Sequence, residues 1–120
     1  MVEETRNAII RSARLGQNDR GILTAWLDLD YGGSGQGFGG FCLYPKSFKN
    51  HGRAAPNFAG HFLARVMEIA GVDDWSKMPG RTVRARHTEA RVIAIGHIIK
   101  DDWFEPAADF VAMEKEAAHG

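Results

Sequence analysis

The sequence predicts an α+β fold, a twisted antiparallel sheet of about five strands with a main helix packed on it and a C-terminal helix. Three observations support this prediction. Residues 22–31 alternate between apolar and polar side chains, which is typical of a strand with one buried face. Residues 58–70 instead repeat apolar side chains at helical spacing. Short, turn-like segments join neighbouring strand candidates, and hairpins with such connections pair antiparallel.

The first two strand candidates flank the turn sequence GQNDRG at 16–21, whose Gly, Asn and Asp residues tolerate the dihedral angles of turns. In 22–31 one face carries Leu23, Ala25, Leu27 and Leu29, and the other carries Thr24, Trp26, Asp28 and Asp30. Residues 6–15 are ambiguous between helix and strand when taken alone. Because a strand across this turn is the most economical interpretation, we expect 6–15 to be the hairpin partner of 22–31.

Glycine is concentrated between residues 32 and 40, which hold six of the 14 glycines. The GGSG sequence at 32–35 predicts a turn, and residues 36–44 predict a third strand that ends at Pro45. Glycine inside a strand indicates a bulge or the close approach of another group. We expect Cys42 to be buried in this apolar strand as an inert thiol. Residues 46–56 predict a polar loop.

Residues 57–71 predict the main helix, with Asn57 as its N-cap and Gly71 at its C-terminal end. After a loop at 72–80, strands 81–87 and 91–99 predict a hairpin. With His87 opposite Arg91, the apolar face would comprise Val83, Ala85, Ile93, Ile95 and Ile99. The other face would comprise Arg84, Arg86, Val92, Ala94, Gly96 and Ile98. Residues 101–106 predict a connection, and residues 107–118 predict the last helix.

Length and composition predict a single globular domain over residues 1–120, because domains typically contain roughly 100–200 residues. The hydrophobic share of 44% and the charged share of 25% exclude wholesale disorder. The N-terminus has no apolar stretch typical of a signal peptide, and no segment reaches the roughly 18–20 apolar residues of a membrane span. A single cysteine cannot form an internal disulfide. We therefore expect a cytoplasmic protein without a membrane partner.

The net charge of zero hides an uneven distribution. Residues 77–100 hold six basic side chains against Glu89, whereas residues 101–120 hold six acids against Lys115. A protein that binds long nucleic acids usually has a strong basic excess, which this chain lacks. A small anionic ligand fits such a local basic patch better than a long polyanion would.

Arg84 and Arg86 lie two residues apart on one strand face, about 7 Å apart, where small neighbours would leave room for their guanidinium groups. The planar fork of arginine suits phosphate oxygens, so this pair predicts a phosphate site. A solvated outer face is the alternative interpretation. Arg91, at the tip of the hairpin, is a further basic candidate.

The segment 34–40 supplies the candidates Gln36, Gly37 and Phe38. Its glycines would let the backbone approach a ligand closely, and Phe38 would stack on a base. The segment is neither a P-loop nor a dinucleotide fingerprint, because it lacks the Lys-Ser/Thr ending and does not lead into a helix. A bulged glycine strand packed beneath a helix is the alternative.

The aromatic candidates are Trp26, Trp103 and Phe104, which would face the ligand or cover the edge of its pocket. Packing in the core or between subunits is the alternative for these rings. The five histidines have no metal-binding spacing, and the single cysteine has no nearby partner. We therefore expect no metal, no cofactor and no catalytic residue. Asp28 and Asp30 form a conceivable pair for a hydrolase, although two acids on one exposed strand face are common.

Four segments, within a resemblance that spans roughly residues 8–106, point to a known family. They are GILTAWLDLDYGGSGQGFGG (21–40), DWSKMPG (74–80), RTVRAR (81–86) and IAIGHIIKDDWF (93–104). They resemble the first family of phage-encoded Thoeris anti-defence proteins. The chain departs from that family at its C-terminus, where the family often has basic residues and this tail is acidic.

The resemblance implies a sponge and not an enzyme. Thoeris defence makes a cyclic ADP-ribose isomer as an alarm signal, and an NAD-depleting effector responds to it. Members of the family bind this signal without degrading it. They are homo-oligomers with sites at or near subunit contacts, and some also hold cyclic oligonucleotides at a separate site. The partner expected here is thus a small cyclic nucleotide, bound by a homo-oligomer in the cytoplasm of a bacterial host.

Two other functions remain open at this point. A phosphodiesterase would use the same basic patch together with Asp28, Asp30 and the histidines. A protein-binding inhibitor would use the acidic tail to mimic nucleic acid and block a host defence complex.

Overall fold

In the computed structural model, which describes residues 2–44 and 56–119, an antiparallel sheet packs with two α-helices, and this confirms the α+β class. The described strands number six, in the spatial order β3-β2-β1-β4-β5-β6, against about five predicted. They are β1 (Glu4–Gln17), β2 (Leu23–Asp30), β3 (Gly35–Gly39), β4 (Thr82–His87), β5 (Val92–Gly96) and β6 (Trp103–Phe104). The helices are α1 (Phe58–Ala70) and α2 (Pro106–His119), and a short 3₁₀ helix occupies Trp75–Lys77. Strand β6 lies in the segment predicted as a connection.

Strand β1 holds the two halves of the sheet together because it pairs with a different strand at each end. Its first half pairs with β4, from Glu4 opposite His87 to Ile9 opposite Thr82. Its second half pairs with β2, from Ile9 opposite Asp30 to Gln17 opposite Leu23, with a bulge between Ile10 and Ser12 inside this ladder. The predicted hairpin of residues 6–15 with 22–31 is confirmed, and its first strand is longer than expected.

Strand β3 is shorter than the predicted 36–44 because Gly39 and Gly40 leave the extended conformation, with φ of 134° and 78°. The chain then returns to β2, where the Leu43 N–H donates to the Leu23 carbonyl over 2.9 Å. Cys42 is exposed in this returning segment, so the prediction of a buried thiol was wrong. The predicted loop at 46–56 lies outside the described residues apart from its last residue, Pro56.

Helix α1 is confirmed at both ends. The Asn57 side chain accepts a hydrogen bond from the Gly60 N–H over 2.8 Å, which satisfies one of the free donors of the first turn. Gly71 adopts the left-handed conformation with φ 73°, and its N–H reaches the carbonyls of Met67 and Glu68. The helix buries its apolar side against the sheet through Phe62, Val66, Ile69 and Ala70.

The β4–β5 hairpin is confirmed, but its predicted register was wrong by two residues. Arg84 lies opposite Gly96 and Arg86 opposite Ala94, where Ala94 and Val92 were expected. An even shift keeps both arginines on one face. Strand β5 ends at Gly96, so Ile99 lies beyond it and is 85% exposed instead of sharing the apolar face.

A register irregularity after Arg86 exchanges the roles of two apolar residues in this hairpin. His87 pairs with Val92, which leaves Ile93 as the extra residue of a bulge. Val92 therefore packs in the hydrophobic core, and Ile93 is partly exposed. The sequence had predicted the reverse, because strict alternation cannot anticipate a bulge.

The core lies between the sheet and α1 and contains three packed phenylalanines. The Phe38 ring stacks on Phe62 with centroids 5.9 Å apart, and Phe104 meets Phe62 edge to face at 5.5 Å. Helix α2 joins this core through Phe110, which contacts the rings of Phe41 and Phe58. Within 2–44 and 56–119, neither helix combines the length and apolar character needed to cross a membrane.

Candidate functional site

The glycines of β3 accommodate the indole of Trp26, which lies across this strand from β2. A Cβ atom built on Gly37 would come 3.1 Å from the indole, and one on Gly40 would come 2.3 Å from it. The close approach that the glycines predicted is thus made within the chain itself. Trp26 is 40% exposed and points away from the buried side chains of its own strand, so it presents aromatic surface to solvent.

A cleft of about 540 Å³, here called the Trp26 cleft, opens beside this indole. Its first wall is β3 with the glycines that follow, and its second wall is the β4–β5 turn. Glu105 and Ala107 line the remaining side. The volume lies within the roughly 300–1,000 Å³ typical of small-molecule sites. The cleft brings together four of the nine predicted site residues: Trp26, Gln36, Gly37 and Arg91.

Arg84, on β4, and Trp103, on β6, lie on the same face of the sheet but outside the lining of this cleft. The Arg84 guanidinium donates to the carbonyls of His97 and Lys100, each over 2.7 Å, and lies 4.8 Å from the centre of the Trp103 ring. The Trp103 ring occupies the space over Gly96, where the sequence had predicted room for the arginine guanidinium groups. Two donors of Arg84 are therefore engaged in holding the turn after β5.

Arg86 forms ion pairs with two carboxylates, Glu3 at 3.0 Å and Glu105 at very short range. Glu105 is itself part of the lining of the Trp26 cleft. Arg86 therefore acts on the cleft through Glu105, whose negative charge it balances. The predicted pair of phosphate-binding arginines is thus occupied by contacts within the protein.

Phe38 and Phe104 belong to the core, with 1% and 0% of their surface exposed. Phe38 pairs with Leu27 and faces inward between two glycines, and Phe104 pairs with Ile95. Neither ring offers a face to a ligand. The predicted stacking of Phe38 on a base and the predicted place of Phe104 at the ligand or the edge of its pocket therefore do not fit these positions, because the alternation of each strand turns both rings inward.

A second cleft of about 590 Å³, here called the mouth cleft, lies at the end of the sheet where β2 and β4 end. Its lining includes Arg6 and Tyr31, which the sequence reasoning did not select, and His87, which it considered only among the histidines of the phosphodiesterase alternative. The rings of Tyr31 and His87 stack with centroids 4.7 Å apart, and Arg6 lies 5.7 Å from the centre of the Tyr31 ring. Burial raises the pKa of Tyr31 above its usual value, against a smaller opposing effect of Arg6. His87 alternates with Val83 and Ala85 on the buried face of β4, and this pattern in the sequence could have identified it as a partly enclosed histidine.

The two clefts meet at Gln36, which contributes to both. Its Nε2 donates to the carbonyl of Thr88 over 3.0 Å and to that of Glu89 over 3.3 Å. Its Oε1 accepts a 2.6 Å hydrogen bond from the Tyr31 hydroxyl. The amide of this predicted ligand-binding residue is therefore engaged with the protein on both sides.

Asp28 and Asp30, the candidate pair for a hydrolase, have different surroundings in the structure. Asp30 accepts from the Gly32 N–H over 2.7 Å and from Arg11 Nε over 2.7 Å, and these contacts lower its pKa. Its carboxylate thus stabilises the turn after β2, whereas Asp28 is exposed. Among the residues that the structure describes, no group of three or more His, Cys, Asp or Glu side chains is placed to hold a metal ion.

Comparisons with known proteins give no neighbour for this chain: no family model, no curated protein and no solved structure matches it.

Proposed function

We propose that the protein is a sponge for a cyclic ADP-ribose isomer, binding the signal without cleaving it and so keeping it from a host NAD-depleting effector. The observation that carries the proposal is the Trp26 cleft, where an exposed indole and Arg91 line one cavity of about 540 Å³. The resemblance of residues 8–106 to the first family of Thoeris anti-defence proteins supports the same function.

The chemistry of the cleft suits the two recognisable parts of such a ligand. The indole of Trp26 stacks on the adenine ring, since aromatic stacking tolerates any planar base. The guanidinium of Arg91 meets the pyrophosphate, which offers the oxygens that arginine binds best. The Glu105 carboxylate would repel the pyrophosphate, and its ion pair with Arg86 reduces that repulsion. In this arrangement Arg86 supports binding without touching the ligand.

The proposed protein acts in the cytoplasm as a homo-oligomer. Exposed apolar residues on one face of the adjacent strands β1 and β2 support self-association: Ile9 is 38% exposed and Trp26 40%. Light scattering coupled to size-exclusion chromatography measures the mass in solution, and a monomer at all concentrations would contradict this part of the proposal.

The experiment that tests the sponge uses purified protein and cyclic ADP-ribose isomers as probes. The protein is incubated with each isomer and retained on a filter, then heated, and the released small molecules are analysed by mass spectrometry. Intact isomer recovered in proportion to protein sites supports the proposal. Cleaved product formed over many turnovers would replace it with the phosphodiesterase alternative.

The same experiment also distinguishes the sponge from a protein-binding inhibitor. If the purified protein removes no isomer but forms a stable complex with a host defence protein, the protein-binding inhibitor replaces the sponge. Trp26→Ala distinguishes the two functions, because sponge activity requires the indole and binding through the acidic tail does not.

A further inference from the structure

The two walls of the Trp26 cleft come from distant parts of the sheet. Strand β3 is an edge strand, and the order β3-β2-β1-β4-β5-β6 places three strands between it and β5. The curvature of the sheet nevertheless brings β3 and β5 into contact. The shape of the cleft therefore depends on what holds the β4–β5 turn against β3.

Gln36 spans this gap with its side-chain amide. From β3 it donates to two successive carbonyls of the turn, those of Thr88 and Glu89, at 3.0 and 3.3 Å. The Tyr31 hydroxyl donates to Oε1 of the same amide over 2.6 Å, which fixes Nε2 toward the turn. The Tyr31 hydroxyl keeps its proton at neutral pH, because the usual pKa of a tyrosine is about 10 and burial raises the pKa of Tyr31 further.

The turn that Gln36 holds is itself well organised and carries Arg91. The Thr88 N–H donates to the Arg91 carbonyl over 2.9 Å. The Thr88 hydroxyl accepts from the N–H groups of Ala90 and Arg91 at 3.2 and 3.4 Å. Arg91 is thus tied to Thr88, and whatever fixes the Thr88 carbonyl also fixes the base of the Arg91 side chain.

We propose that Tyr31 and Gln36 form a latch that positions the β4–β5 turn, and with it Arg91, opposite Trp26. Gln36 is then a positioning residue and not a direct ligand contact. Tyr31 lines the mouth cleft and affects the Trp26 cleft only through its hydrogen bond to Gln36. The effect on ligand affinity rests on the proposed function, whereas the effect on the turn does not.

Tyr31→Phe tests the latch by removing one hydroxyl and keeping the ring that stacks on His87. Tyr44→Phe is its matched control, since Tyr44 lies beside Leu23 at the other end of β2. The first measurement needs no ligand: hydrogen exchange at the backbone amides of residues 88–91, at one pH. We expect exchange at least about tenfold faster in Tyr31→Phe and unchanged in Tyr44→Phe. Equal exchange in Tyr31→Phe and wild type would overturn the latch, whether or not a ligand is found.

Gln36→Glu gives the second test, through a pH-dependent rescue. A glutamate carboxylate at this position would face two carbonyl oxygens, which repels it, whereas a protonated carboxyl can donate to one of them. The two carbonyl oxygens raise the pKa of this carboxyl above the usual value of about 4.3, against a smaller lowering effect of the single Tyr31 hydroxyl. The His87 ring also contacts the Thr88 carbonyl, so the variant is compared at each pH with wild type, which carries the same histidine. Exchange at 88–91, corrected for its intrinsic pH dependence, should then slow toward wild type between pH 7.5 and pH 5. The control Gln17→Glu, at the exposed end of β1, should show no such change.

Titration with a cyclic ADP-ribose isomer then connects the latch to binding. We expect Tyr31→Phe to bind at least about tenfold more weakly than wild type, and Gln36→Glu to recover affinity at pH 5. Faster exchange with unchanged affinity would overturn the positioning role. If wild type binds no isomer, the proposed function fails, and the exchange experiments alone decide whether the latch exists.

Discussion

The indole of Trp103 lies directly on Gly96, so closely that a Cβ at residue 96 would come 2.7 Å from two ring atoms. Gly96 pairs with Arg84 across the hairpin, and the Arg84 guanidinium lies 4.8 Å from the centre of the same ring. Trp26 lies on Gly37 and Gly40 in a similar way at the other end of the sheet. Glycines in these edge regions are therefore sites where a tryptophan replaces a missing side chain.

Gly96→Ala should destabilise the protein by about 1–3 kcal/mol, the usual cost of overpacking, because Trp103 must move from its place beside Arg84. Chemical denaturation measures the change in the free energy of unfolding. Gly16→Ala is the matched control, since Gly16 lies in a strand and a Cβ there would meet no atom within 4 Å. An equal effect of the two substitutions would contradict the packing explanation.

Arg84→Ala should also destabilise the protein, by about 1–3 kcal/mol, because the carbonyls of His97 and Lys100 lose a charged donor. Arg84→Lys should restore only part of the lost stability, because lysine keeps a charged donor but cannot reproduce the planar fork that reaches both carbonyls. Thermal melting should give Tm values that fall from wild type to Arg84→Lys to Arg84→Ala. If Arg84→Ala melts like wild type but binds the ligand more weakly, Arg84 is a ligand contact, as the sequence had suggested.

The regular elements of this fold were predictable because their signals are local. The alternation of 22–31, the Asn57 cap and the Gly71 terminus each depend on a few neighbouring residues. The two-residue strand β6 and the bulge at Ile93 were not predictable, because both arise from pairing with a partner strand. A one-residue bulge reverses the faces of the residues beyond it, which is why Val92 became core.

The kinds of residue in the candidate site could be predicted from the sequence, but their contacts with one another could not. The sequence identified an exposed tryptophan, a glycine strand and a basic hairpin, and Trp26, Gly37 and Arg91 do line one cleft. It could not predict that the carboxylates of Glu3 and Glu105 pair with Arg86, since those residues are distant in the chain. Tyr31 was missed because its hydrogen bond to Gln36 forms only when the turn after β2 brings the two side chains together.

Asp102 should contribute to the pH dependence of stability. Its carboxylate accepts a 2.8 Å hydrogen bond from Arg65, and this contact, with the arginine charge, lowers its pKa. A lowered pKa in the folded state means that the contribution is present above the unfolded value of about 3.9 and is lost as the pH falls through the folded value. Asp102→Asn should therefore melt below wild type at pH 7, and the two Tm values should begin to converge below about pH 4 and meet once the pH is below the lowered folded pKa.

Melting curves from pH 7 to pH 2 test this expectation. Asp101→Asn, on the neighbouring exposed residue, controls for the loss of one negative charge. A difference between Asp102→Asn and wild type that stays constant down to pH 2 would show that the ion pair is not its cause.

Trp26→Ala should weaken ligand binding by about 1–3 kcal/mol, the usual contribution of one base–aromatic stack, with the sheet still folded. Trp26→Phe should keep part of the affinity, since it keeps an aromatic face. Calorimetric titration with a cyclic ADP-ribose isomer measures the change, and circular dichroism checks the fold. Leu15→Ala removes another exposed apolar side chain and is the control; an equal loss there would indicate a general surface effect.

Arg91→Ala should separate binding from stability more cleanly than any other substitution in the cleft. Arg91 is exposed, and the hydrogen bonds that tie it to Thr88 use its backbone, so alanine keeps them. Exposed changes of this kind usually alter stability by less than about 0.5 kcal/mol. Loss of a charge-assisted contact with the pyrophosphate should cost about 1.5–3 kcal/mol, which is roughly a ten- to hundredfold loss of affinity. Arg20→Ala, in the exposed β1–β2 turn, removes the same charge away from the cleft and should bind like wild type. If both variants lose affinity equally and only at low salt, Arg91 acts through the overall field of the protein, and the pyrophosphate contact in the Trp26 cleft is refuted.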